Sequence, residues 1–214
     1  MLNLGKLHFG GDYNPEQWPK DVWKQDIELM QASGVNLVSL GIFSWAKIER
    51  SDGDYHFDWL DEAMELLHEG GISVDMATAT ASPPAWLSKA NPEMRAVNFD
   101  GVQLSHGGRQ NYCAASSVYR QKASALVEQI ASRYAKHPAV VMWHINNEYG
   151  CHAPYCFCEN SRQAFVAWLK ERYSSLDELN ASWGTDFWSQ RYYDWDELVV
   201  PKRTPDGTHP NPGQ

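Results

Sequence analysis

Four short apolar segments recur along the chain, each running into polar and aromatic residues and then into a stretch of helical periodicity. Strand alternating with helix predicts an α/β fold with a parallel sheet and right-handed crossovers. No glycine-rich turn follows the first segment. Its "GGDYNPEQW" fits neither the dinucleotide fingerprint nor a phosphate-cradling loop, which disfavours a doubly wound nucleotide fold. The pattern fits the first four βα units of a (β/α)8 barrel, the TIM barrel, where chemistry gathers at the C-terminal ends of the strands.

The first candidate strand lies in "LHFGGDYNPEQW", residues 7 to 18, and a helix is expected from Pro19 to Gly34, with Trp23, Ile27 and Met30 on one face. The second, "VNLVSLGIFSW" (35 to 45), is followed after the Asp52-Gly53 turn by a helix that buries Phe57, Leu60, Met64 and Leu67 and ends at Gly70-Gly71. The third is "ISVDMATATASPPAW", residues 72 to 86. A long excursion follows it, and the Asp100-Gly101 pair within "MRAVNFDGVQL" predicts a small hairpin there. Long excursions of this kind are usually functional. The fourth strand spans residues 139 to 147, after a helix that carries Leu126, Ile130 and Tyr134 and halts before Pro138. A last helix, 161 to 173, places Phe165, Trp168 and Leu169 on one side.

All four strands end alike, in Asp12-Tyr13-Asn14, Phe43-Ser44-Trp45, Thr80-Ala81-Ser82 and Asn146-Asn147-Glu148. The repetition at one end is what a barrel with its site on the C-terminal face requires. A whole barrel takes about 250 residues, and this chain has 214. Residues 1–198 are therefore expected to form the N-terminal half of a barrel, with 199–214, "VVPKRTPDGTHPNPGQ", as a Pro/Gly-rich loop at a truncated end. A half-barrel exposes two sheet edges, so either a truncated piece or a self-associating half is expected.

Composition narrows the partners. A net charge of -9 argues against nucleic acid, which calls for a basic face. No apolar run reaches the roughly 18 residues of a membrane span. The opening "MLNLGKLHFGGDYN" goes directly into a strand pattern without a signal-peptide core, so a cytoplasmic protein is expected. In a reducing compartment the four cysteines, Cys113, Cys151, Cys156 and Cys158, are free thiols or metal ligands. Ten tryptophans supply core, and also flat platforms for the apolar faces of sugar rings.

The segment "AVVMWHINNEYGCH", residues 139 to 152, holds the strongest chemical signal. An apolar strand emerges directly into two amides, a carboxylate and a tyrosine. Glu148 reads either as an ordinary carboxylate opening a loop or as a general acid beside groups that hold a substrate still. Residue types alone leave both open. Asn147 can donate to and accept from a sugar hydroxyl, and His144, inside the strand, reads as a hydrogen-bonded core histidine.

The segment "HINNEYGCH" resembles the acid/base strand of the clan A glycosidases, which ends in an Asn-Glu pair. More narrowly, "GGDYNPEQWP" (10 to 19), "VSLGIFSWAKIE" (38 to 49), "ATASPPAWL" (79 to 87) and "WGTDFWSQRY" (183 to 192) resemble segments of the glycoside hydrolase family 42 β-galactosidases, in order and in spacing. The resemblance covers essentially the whole chain. It implies retaining hydrolysis of terminal non-reducing β-D-galactose, with Glu148 as acid/base and Asn147 as its substrate-binding neighbour. The nucleophile is implied to be a glutamate at the end of the seventh strand, beyond this chain. Arg109, in "GGRQNYC", matches the family's sugar-contacting arginine, and Trp188 is implied to line the galactose pocket. A homotrimer is implied for the full-length enzyme.

No cofactor is required by this chemistry. Some family members nevertheless hold a structural zinc through one cysteine on the third-strand loop and a Cys-x-Cys-x-x-Cys cluster. Cys113, Cys156 and Cys158 match three of those positions, while the fourth is Ser161, a poor zinc ligand. Cys151, His152 or Glu159 could complete the set; otherwise the thiols stay free. Two alternatives remain on the sequence alone: a clan A glycosidase for another β-linked sugar, and a catalytically silent carbohydrate-binding fragment.

Overall fold

A computed structural model describes residues 7–202 and residue 204. Most of the 199–214 loop expected from the sequence thus lies outside the described residues. The chain divides into two compact units: one comprises the residues up to Ala90, Gly107–Gln110 and Gln121–His152, and the other comprises Asn91–His106, Asn111–Arg120 and the residues from Ala153 onward.

The first unit holds the whole sheet. Strands β1 (Gly10–Tyr13), β2 (Leu37–Leu40), β3 (Ser73–Ala77) and β4 (Val140–His144) lie in the order β1-β2-β3-β4, every neighbouring pair parallel. Consecutive parallel strands in sequence order are the barrel pattern rather than the doubly wound one. Between them run α1 (Lys20–Ala32), the short α2 (Trp45–Ile48), α3 (Asp58–Glu69), α4 (Ala85–Ala90) and α5 (Ser117–Tyr134). Residues 117–120 of α5 fall in the second unit.

Strand alternation sets the two faces of the sheet. Val38, Leu40, Val74 and Met76 are buried, as are Trp23 and Ile27 of α1 and Leu60, Ala63, Met64 and Leu67 of α3. The opposite face carries half-buried Ser39 and Asp75, whose side chains are joined by a 3.1 Å hydrogen bond from Ser39 Oγ to Asp75 Oδ2. Gly10 is where β1 and β2 approach most closely: a Cβ there would collide with the Leu37 carbonyl oxygen.

Several elements are shorter than their sequence patterns. The second segment leaves β geometry at Gly41 (φ +81°) and turns into α2, so Trp45 is a helical core residue and not a strand end. In α1, Trp23 and Ile27 are buried but Met30 is not. β4 is half-buried along its length, contrary to the buried strand its apolar run suggests. It is the last strand in the order, with β3 its only neighbour among the described residues.

The second unit has its own core. In α6 (Glu159–Arg172) the buried residues are Val166 and Leu169, which meet Leu179 of α7 (Leu176–Trp183) and Leu198. Trp168 was expected on that side but is half-exposed; it stacks on Phe165 instead. The expected hairpin is present as a single antiparallel bridge, Val97 to Gln103, with Asn98 N donating to Val102 O (2.9 Å) and Gly101 left-handed. Past α7, buried Asn180 clasps Tyr192 through Nδ2 to the carbonyl (2.7 Å) and from its N–H to Oδ1 (2.9 Å). Within the aromatic stretch Trp183, Tyr192 and Trp195 pack against this core, while Phe187, Trp188 and Tyr193 are exposed.

Candidate active site

The site is built in the first unit, where β4 ends beside β3. Thr78 N donates to His144 O (3.0 Å), the Thr78 hydroxyl donates to Ile145 O, and Asn146 Nδ2 donates to Thr80 Oγ1 (3.1 Å). The polar ends of the third and fourth strands therefore tie one strand to the other. With its end secured, the chain turns sharply. Asn147 N donates back to Asn146 Oδ1 (2.7 Å), and Glu148 takes a left-handed conformation, φ +48°. That conformation costs a non-glycine residue about 1 kcal/mol or more and persists only where its surroundings impose it.

Gln110 imposes it. Buried, and anchored by its own N–H to Ala81 O (2.8 Å), it donates from Nε2 to the carbonyls of Asn147 and Glu148, the latter at 2.7 Å. Its Oε1 accepts from His152 N (3.4 Å). One amide thus fixes the backbone on both sides of Glu148. Nothing in "GGRQNYC" marks Gln110 for this role, because the sequence does not show which carbonyls a glutamine will reach.

The Glu148 carboxylate is accessible, at 45% exposure of its side chain. Three groups meet its Oε2: Arg109 Nη1 at 3.1 Å, Asn147 Nδ2 at 3.2 Å and His152 Nε2 at 3.3 Å. Arg109 also lies over the Phe43 ring, 5.6 Å from its centre. Arg109, distant in sequence, is therefore brought to the adjacent pair Asn147 and Glu148, and Phe43 from the end of the second segment backs them. Three other polar or aromatic side chains near the ends of the first two segments are tied into the scaffold. Ser44 bonds Glu16 (2.8 Å), Trp45 Nε1 donates to Glu49 (2.7 Å), and the Tyr13 hydroxyl donates to Asp26 (3.0 Å).

His144 Nδ1 lies 3.5 Å from Asp75 Oδ2 on the polar face of the sheet. Its Nε2 and Asp75 Oδ1 are buried without a hydrogen-bond partner among the described residues, so His144 is only half satisfied. Trp188 belongs to the second unit. It is exposed, left-handed (φ +57°) and stacked on Phe187 at 5.0 Å between ring centres.

The second unit also gathers Cys113, Cys156 and Cys158, with their sulfurs within 4.8 Å of one another. Ser161 Oγ stands 3.2 Å from Cys113 Sγ and 3.9 Å from Cys158 Sγ, in the place of a fourth ligand. Cys156 is held well below the ordinary thiol range, first by the hydrogen bond it shares with Cys113, then by Ser161 and by the N–H groups of Val97 and Cys158. Cys113 is pushed up by that same bond and by burial. A thiolate among thiols suits a borderline cation, so the donor set fits zinc held by three sulfurs with a weak fourth position. Cys151 and His152 lie in the first unit, grouped with the Glu148 carboxylate. Glu159 pairs with Arg162 (2.8 Å) at the surface.

The family model described as beta-galactosidase, glycoside hydrolase family 42, matches residues 12–214. The chain belongs to this family. It is 53% identical over 209 residues to the beta-galactosidase LacZ of Heyndrickxia coagulans, covering 98% of this chain and 31% of that protein. To the beta-galactosidase bgaB of Geobacillus kaustophilus it is 52% identical, over 100% of this chain and 32% of the relative. Among solved structures, the beta-galactosidase of Bacillus circulans sp. alkalophilus superposes with a TM-score of 0.89 at 44% identity, covering 94% of this chain and 30% of that one. That of Marinomonas ef1 gives 0.90 at 40% identity, over 96% and 31%. The chain thus spans about a third of the length of the family 42 relatives it matches. Their catalytic domains are TIM barrels, and the four-stranded parallel sheet is the matching part of one. A β-amylase catalytic domain from Paenibacillus polymyxa shares the fold alone, at 16% identity and a TM-score of 0.58.

Proposed function

We propose that this chain is the acid/base-bearing part of a retaining β-galactosidase, with Glu148 as the proton-transfer group. The observation that carries the reading is the convergence of Arg109 and Asn147 on the Glu148 carboxylate at the end of β4. A family 42 chain that places a carboxylate and two hydroxyl-binding groups there has what one side of glycosidic cleavage needs. The relatives are named beta-galactosidases, which supports terminal β-linked galactose as the substrate.

In the first step Glu148 gives its proton to the leaving oxygen while a second carboxylate, about 5–5.5 Å away, attacks the anomeric carbon. In the second step Glu148 takes a proton from water, which displaces the enzyme carboxylate with net retention. The nucleophile belongs to the remaining two thirds of a family-length protein, so the 214-residue chain by itself is expected to turn over no aryl β-galactoside. Asn147 and Arg109 would bind and orient the sugar, and exposed Trp188 is kept as a candidate sugar platform. The Cys113, Cys156 and Cys158 set would hold a structural zinc, which supplies cross-linking of its loops and no part of the reaction. A cytoplasmic homotrimer completes the reading; among the described residues no helix is long and apolar enough to cross a membrane.

The deciding experiment is Glu148→Ala in the family-length protein. Natural galactosides should lose about 10²–10⁴-fold in kcat, the usual worth of general acid–base catalysis. An activated aryl galactoside, whose leaving group needs no proton, should still form the glycosyl-enzyme, and added azide should release it as β-galactosyl azide. Unchanged activity on every substrate removes Glu148 from the role.

A further inference from the structure

The turn that carries Glu148 also brings together three different metal-binding groups. A carboxylate oxygen of Glu148, the sulfur of Cys151 and a ring nitrogen of His152 lie within 4.8 Å of one another, and all three residues are exposed. Their spacing is a product of the backbone. Cys151 N donates to Glu148 O (3.0 Å), while Glu148 and Gly150 are both left-handed. The turn folds Cys151 and His152 back beside the carboxylate, where His152 Nε2 stands 3.3 Å from Oε2. Gln110 holds both ends of the turn, at Glu148 O and His152 N. The three donors are therefore arranged before any ligand arrives, so little ordering remains to oppose binding.

We propose that Glu148, Cys151 and His152 form a binding site for a thiophilic divalent cation of the Zn²⁺ type, and that its occupancy switches off the acid/base group. One thiolate, one imidazole and one carboxylate, with a fourth position for water, make an open tetrahedral zinc site. Mg²⁺ and Ca²⁺ prefer oxygen ligands and gain nothing from Cys151. The Arg109 guanidinium, 3.1 Å from Oε2, opposes a cation. Binding displaces the Cys151 thiol proton to solvent, and the bound thiolate and carboxylate then set two negative charges against that single positive one. A carboxylate bound to the ion is held ionised, so it has no proton to give the leaving oxygen, and the cation's charge weakens it as a base toward water. Both steps of hydrolysis stop. Binding follows from the geometry alone; the inhibition rests on the role proposed for Glu148.

The test uses the family-length protein, native and Cys151→Ser, titrated with Co²⁺ as a spectroscopic substitute and assayed with an aryl β-galactoside in rising Zn²⁺. The Cys113 group is the same in both proteins, so their difference spectrum reports Cys151. The native protein should show an additional sulfur-to-cobalt charge-transfer band. Cys151→Ser should turn over substrate like the native enzyme without zinc, and should need at least about tenfold more Zn²⁺ for half-inhibition, as expected for loss of a direct ligand. Identical cobalt spectra overturn the site. A lost band with unchanged zinc inhibition overturns the switch. If neither protein hydrolyses galactosides, the functional reading fails and the cobalt spectra still decide whether the ion binds.

Discussion

The Arg109 guanidinium stands 3.1 Å from the Glu148 carboxylate and 5.6 Å from the centre of the Phe43 ring. Both charged side chains are more than a third exposed, and a pair so open to water stabilises a fold by less than about 1 kcal/mol. The use proposed for it is recognition, because a guanidinium presents five donors in a rigid fork and Glu148 takes only part of it. Arg109→Ala in the family-length enzyme should raise KM for an aryl galactoside about tenfold, the worth of one charge-assisted hydrogen bond, and lower kcat less. Initial-rate kinetics check this. A fall in kcat at constant KM would make Arg109 a partner of Glu148 alone and not of the sugar.

Gln110 is a positioning residue. Its side chain donates to the carbonyls of Asn147 and Glu148 and holds the left-handed turn in place. Gln110→Ala leaves both carbonyls without this donor, and Gln110→Glu sets a carboxylate against them, so either change releases the turn. A catalytic group displaced by about 1 Å can lose 10²-fold in rate. Both variants should therefore drop kcat about 10- to 100-fold with little change in KM, and should alter the pH profile of kcat, which reports on the acid/base group. A lower melting temperature with normal kcat and an unmoved pH profile would leave Gln110 a merely structural residue.

How far the sequence predicts such features depends on whether they are local. The strand and helix order, the Asp100-Gly101 hairpin and the emergence of Glu148 from an apolar strand are written in short-range periodicity and turn chemistry. Arg109 needed the family resemblance, because nothing local brings residue 109 to residue 148. Gln110 escaped even that, since its partners are backbone carbonyls, present at every position. The half-burial of β4 and the exposure of Trp168 escaped for a related reason. An apolar run states a preference for burial, and only tertiary packing decides which side chains obtain it. The grouping of Cys151 and His152 with the Glu148 carboxylate depends on the left-handed pair Glu148 and Gly150, which no local sequence pattern announces.

Away from the site, Asp61 joins α3 to α5 and offers a pH-dependent test of the scaffold. Its carboxylate accepts from Arg133 Nε and from the Tyr134 hydroxyl, each at 2.7 Å, and from Arg133 Nη2. Burial by itself would raise the Asp61 carboxyl, but the hydrogen bonds from Arg133 and Tyr134 outweigh it and hold the group below its ordinary value of 3.8. A carboxyl lowered in the folded state binds its proton more readily when unfolded. Its stabilisation is therefore complete above the unfolded value and fades as pH falls through the folded one. Asp61 and Arg133 are 34% and 46% exposed, so screening reduces the contribution to about 1 kcal/mol. Asp61→Asn should lower the melting temperature at pH 7, and the gap to the native protein should close at a pH well below 3.8, where the native carboxyl is protonated too. Calorimetry at the two pH values checks this, and a gap that stays constant would assign the loss to packing and not to the charge.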